Sequence, residues 1–106
     1  MKVLKDKAKN KTYLVVDSAQ EQNEDGSAYI LYELIHINKT DFTDEDVVLV
    51  VVSQEDSPNY IEETIGSVSL HVNEFTKYVD GKVKKKMRSF HIIPHKGLGE
   101  VVSEGL

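Results

Sequence analysis

Among the residues whose chemistry the sequence offers, histidines and clustered acids come first. The four histidines are His36, His71, His91 and His95. Three of them fall on segments that read as strands, and His95 follows Pro94. His91 and His95, four apart, would share a helix face, but on an extended strand they stand roughly 13 Å apart. Three such imidazoles and a carboxylate converging across a small barrel would make a metal site, yet their spacing does not require one. The expectation is no metal and no cofactor. Asp41-Phe42-Thr43-Asp44-Glu45-Asp46 gathers hard oxygen donors suited to Mg²⁺ or Ca²⁺. It lacks the glycine and distal glutamate of an EF-hand loop, and Thr43 with Asp46 three residues on also fits a capped turn leading into Val47. No Ser-His-Asp order and no glycine-rich phosphate loop can be argued, so catalytic residues are expected to be none. A metal-dependent enzyme using the histidines and the 41–46 acids is the third-ranked alternative.

The basic residues offer a different chemistry. Lys82, Lys84, Lys86 and Arg88 alternate along one predicted strand, repeating every ~6.6–6.8 Å, with Phe90 next on the same parity. That spacing suits a stretched phosphate backbone with an aromatic ring for base stacking. The same lysines equally suit an edge strand guarded against pairing. On either reading they point outward, because Val83, Met87 and Ile93 occupy the opposite parity. Lys85 does not fit that alternation.

These side chains sit on a chain of 106 residues with 13 Lys and Arg, 18 Asp and Glu, and a net charge of −5. The charge is uneven: residues 1–11 carry +4, residues 12–80 carry −13 and residues 81–106 carry +4. Two basic ends therefore bracket an acidic middle, a pattern that suits a basic partner on the acidic part as well as simple solubility. The acidic whole disfavours tight nucleic-acid binding, which rests on neutralising phosphates. With 40% hydrophobic residues a modest core is expected, and 106 residues allow one domain. The absence of cysteine excludes disulfides and thiolate metal sites. No run approaches a membrane span, and the basic start has no apolar region behind it, so the expected setting is cytoplasmic with no membrane partner.

The elements that must position these residues read mainly as strands. The expected class is a β-rich α+β domain: a small barrel or curved antiparallel sheet of five to six strands, SH3-like or OB-like in size, with one short helix. Residues 1–11 form a basic N-terminal arm or a poor first strand, 12–95 the β-rich domain, and 96–106 a loose tail. Strands are expected near 12–18, 28–37, 47–53, 67–72 and 86–93. Residues 28–38 have apolar side chains on both parities, as does Val47 to Val52, and both therefore read as strands covered on two sides. In 67–72, Val68, Leu70 and Val72 point inward. Ser57 as N-cap, Pro58 at the first helical position and Gly66 beyond the end frame a helix over 58–65. Residues 73–79 fit either strand or helix, and Asp80-Gly81 reads as a hairpin turn.

Short segments resemble known families. His95-Lys96-Gly97-Leu98-Gly99-Glu100 is similar to the Tyr-Lys-Gly-Leu-Gly-Glu stretch of bacterial type II topoisomerases. Asp17-Ser18-Ala19 after Tyr13-Leu14-Val15-Val16, with the Asp44/Asp46 pair, resembles that family's metal-binding Toprim segments in the same order. Where the family has its catalytic Glu followed by Gly, this chain has Val15-Val16, and it has no room for the Toprim inter-strand helices. No residue is carried over. The spacing of Tyr13 to Ala19, Asp25-Gly26, Tyr29 to Tyr32, Asn73-Glu74-Phe75 and Asp80-Gly81 resembles small bacterial SH3-like domains.

The leading expectation is a non-enzymatic binding or regulatory protein, of accessory or phage-type inhibitor or adaptor character. It acts through a protein partner docked on the acidic residues Asp41, Asp44, Glu45 and Asp46. The alternative is a nucleic-acid-binding β-barrel using Lys82, Lys84, Lys86, Arg88 and Phe90.

Overall fold

The computed structural model describes residues 1–66 and 68–94. It is mainly β, with eight strands in two antiparallel sheets: β1 Lys2–Asp6, β2 Lys11–Gln22, β3 Ala28–His36, β4 Asp41–Thr43, β5 Val48–Ser53, β6 Tyr60–Thr64, β7 Val68–Val79 and β8 Lys82–Pro94. The larger sheet runs β5-β3-β2-β1-β6 and the smaller β4-β8-β7. Its helical residues are two 3-10 turns, Asp44–Asp46 and Ser57–Asn59.

Alternation along the central strands builds two apolar layers on opposite faces of one sheet. On one face Val3, Leu14 and Ile35 pack against Phe42, Val68, Phe90 and Ile92 of the smaller sheet. On the other face Leu4, Tyr13, Val15, Tyr32, Leu34 and Val52 form a second cluster, joined by Ile30, Val50 and Tyr60. Adjacent residues such as Leu34 and Ile35 are therefore both fully buried. That two-sided cover is the reason 28–38 carries no polar face. An extra residue, Val16, enters β2 between the Val15 and Asp17 registers and bends it.

The second cluster draws on all five strands because the larger sheet rolls. Tyr32 Oη donates to Glu62 Oε2 at 2.7 Å. These residues stand on β3 and β6, three strand spacings or about 14 Å apart on a flat sheet, further than the two side chains reach. The edge strands β5 and β6 each pair with a single strand among the described residues, β3 and β1, so the roll stops short of a barrel.

Several expectations are corrected. The framed helix over 58–65 is absent: Pro58 lies in the 3-10 turn and Tyr60–Thr64 is strand β6. Its local caps are outweighed by pairing with β1, where Lys2 and Lys5 meet Glu62 and Glu63 at 3.0 and 3.2 Å. Residues 2–6, read as arm or poor strand, thus lie inside the sheet between β2 and β6. Val47 to Val52 is not covered on both faces, since β5 is an edge strand with Leu49 65% and Val51 57% exposed. Val68 points inward as expected, but Val72 is half exposed. Residues 73–79 continue strand β7, and Asp80-Gly81 closes a two-residue hairpin with φ of 55° and 75°. Both values lie in the left-handed region that this tight turn requires. The tail 96–106 lies outside the described residues.

Candidate functional site

The acidic loop is built into the fold. Thr43 caps the 3-10 turn, accepting from the Glu45 amide at 3.2 Å, while its own amide donates to Asp46 Oδ2 at 2.9 Å. Asp44 accepts from Arg88 Nε at 2.8 Å and from the Arg88 backbone amide. Those bonds hold its carboxyl below the ordinary 3.8, the Arg88 side chain contributing most. Glu45 pairs with Lys77 at 2.8 Å and Asp46 with Lys39 at 3.5 Å. Asp41 Oδ1 meets His91 Nδ1 at 2.6 Å, a contact that lowers the Asp41 pKa. Each of the four acids singled out by sequence therefore has an internal partner. Asp44 is also half-buried, its side chain 20% exposed and its carboxylate engaged by Arg88, so it is not the free docking group the sequence reading expects.

The basic stripe does not survive as a stripe. Lys77 pairs with Lys85 and Tyr78 with Val83, which leaves Lys84 as the extra residue of a bulge. Directly opposed residues share a face, so Lys82 (opposite Val79) lies on the face of Lys85, opposite to Lys86 (opposite Thr76). The side chain of Lys84 lies outside what is described. Arg88 points between the sheets, held by Asp44 and Glu33, and its guanidinium lies 5.3 Å from the Phe90 ring centroid. Phe90 is 1% exposed, a core residue unable to stack on a base. Parity read from Met87 misplaces this strand, because Phe90 and Ile92 on the other parity are the buried pair in its second half.

The histidines are scattered. His71 and His91 face each other across β7 and β8, whereas His36 lies on the larger sheet against Tyr13, ring centroids 4.7 Å apart. His95 lies outside the described residues. Among the described residues no three His, Asp or Glu gather to hold a cation. Among the described residues Asp17 on β2 and the Asp44/Asp46 pair do not gather into a cation-holding group as the Toprim resemblance would need, and the connections between strands hold only the two 3-10 turns.

The feature sequence reasoning missed is the β5 edge. Val48, Leu49 and Val51 are exposed on a strand, Val48–Ser53, that contains no charged residue and no proline. The other long edges are guarded: β6 carries Glu62 and Glu63, and β7 carries Glu74 and Lys77. Beside β5 the two sheets diverge around a cleft of about 460 Å³, lined by Val47, Leu49 and Met87 with Glu33, Asp44 and Arg88. The uncharged run 47–52 was the available signal, but it reads identically for a strand with both faces buried. Among the described residues, no helix is long and apolar enough to cross a membrane. Comparison with protein-family models, with curated proteins and with solved structures finds no match to this chain.

Proposed function

We propose that this chain is a non-enzymatic protein-binding module that acts through a protein partner, taking an extended segment of that partner as an added strand on β5. The observation that supports this reading is the unguarded edge. Proteins protect edge strands with charges, prolines or cover, because exposed backbone donors and acceptors recruit other strands. Val48–Ser53 has none of these devices, and Leu49 and Val51 offer apolar contacts at alternate positions for an incoming strand. Strand addition supplies affinity through main-chain hydrogen bonds and selectivity through alternate side chains. The acidic loop supports this role from beside the edge, since its capped turn leads directly into Val47 and β5.

Selection from a displayed library of random extended peptides tests the reading, with Leu49→Lys and Val51→Lys variants as counter-targets. Both positions are exposed, so the variants keep the fold. Enriched peptides that bind the parent and lose binding to both variants are the expected result. A library yielding only peptides indifferent to the two changes overturns it.

A further inference from the structure

We infer that the strand received by β5 is β5 of a second copy, paired antiparallel across a two-fold axis at Val50; this rests on the strand-addition reading above. A two-fold axis perpendicular to the sheet keeps each face on its own side, so only residues of the same parity can oppose each other. With Val50 on the axis, Leu49 of each copy opposes Val51 of the other, and Val48 opposes Val52. The three exposed apolar residues of this edge, Val48, Leu49 and Val51, then each meet an apolar side chain. A shift of two residues either way sets Leu49 against Ser53 or Val52 against Asp46.

The charges at the two ends of β5 agree with this alignment. At the first end Asp44, Glu45 and Asp46 are paired with Arg88, Lys77 and Lys39. Lys85 and Lys86 line the same cleft as Glu33 and Glu74, so this end carries no net charge. At the second end Glu55 and Asp56 follow β5, and the pairing of Tyr29 with Ser53 brings exposed Glu24 and Asp25 beside them. None of those four acids has a Lys or Arg partner among the described residues. Antiparallel pairing lays each acidic end against the neutral, lysine-bearing end of the other copy. Parallel pairing would set acid against acid.

Symmetry also closes the assembly. One antiparallel contact covers the unguarded edge of both copies at once. The far edge of each larger sheet is β6, where Glu62 and Glu63 pair with Lys2 and Lys5 and discourage a further strand. A foreign strand would need a matching apolar run with one end suited to acid and the other to a neutral surface. β5 itself meets both demands.

Sedimentation equilibrium of the full chain over a wide concentration range tests this, with amide exchange locating the contact. The expected result is a dimer whose formation protects Val48–Ser53. Leu49→Lys and Val51→Lys should each weaken association about tenfold or more, since lysine on an edge opposes pairing. The chain has no cysteine, so Val50→Cys should cross-link two copies on oxidation, while Ile61→Cys on β6 should not. A protein monomeric throughout, whose β5 still binds selected peptides, overturns the second copy and leaves strand addition standing. A monomer whose β5 binds no peptide overturns both. A dimer indifferent to the two lysine changes places the contact elsewhere and overturns the inference. A β5-dependent dimer that Val50→Cys fails to cross-link overturns the register.

Discussion

Arg88 donates from Nε to Asp44 Oδ1 at 2.8 Å, and its backbone amide donates to the other oxygen of the same carboxylate. One aspartate thus fixes both the side chain and the strand of its partner, and Glu33 on β3 holds the far end of the guanidinium. The triad links the acidic turn, β8 and the larger sheet. Arg88→Met would leave Glu33 and Asp44 facing without a cation, and is expected to cost about 2 kcal/mol. Denaturant unfolding measures it, and a change within experimental error would show the clamp to be idle.

Asp44 also sets a pH dependence. Its folded pKa lies below the ordinary 3.8, and that of Glu62 below 4.5 because Tyr32 and Lys2 hydrogen-bond to its charged form. Groups depressed by folding add stability that is complete above their unfolded values and is lost as pH falls through the folded ones. The melting temperature should hold from neutrality to about pH 5 and fall below about pH 4. Asp44→Asn should start lower and show a shallower acid slope.

Tyr32 predicts the alkaline side. Burial foremost, then its bond to Glu62, pushes its pKa from 10.0 to about 12. A raised pKa contributes stability that is present below 10.0 and lost as pH rises towards about 12. Tyrosinate absorbance should show Tyr32 ionising last of the five tyrosines. Tyr32→Phe should cost about 1 kcal/mol at neutral pH and remove that late step.

The two-sided sheet makes a packing prediction. Leu34→Ala and Ile35→Ala each empty a fully buried site, but in different clusters. Each is expected to cost about 3 kcal/mol. Xenon or a small apolar probe should enter a separate cavity in each variant, and entry at one shared site would contradict the division of the core.

Much of the fold was legible because strands carry their signal locally. The β3 segment has apolar residues on both parities and lies inside the larger sheet, between β5 and β2; Asp80-Gly81 marked its hairpin through the left-handed φ that both residues adopt. What failed depended on distant partners. Lys2–Asp6 and Tyr60–Thr64 define each other across the chain, and neither has a pattern that outweighs the capping residues around Pro58. The site failed for a related reason. The bulge at Lys84 breaks a face that strict alternation would keep, and Arg88 is drawn inward by Asp44 and Glu33, which sequence spacing cannot place.

The larger sheet serves as the wall between two apolar clusters, while the smaller sheet touches only one of them. The smaller sheet's hairpin also extends past its cover, and the molecule measures 46 × 44 × 20 Å with a radius of gyration of 15.9 Å, against ~13 Å for a compact chain of this size. The two halves are therefore not equals in the unfolding order. The smaller sheet can lift away and leave the rolled cluster closed, whereas the rolled cluster cannot open without removing the surface on which the smaller sheet rests. Subglobal opening should run from β7 and β8 inward, with the amides of β1, β2 and β3 exchanging only through complete unfolding.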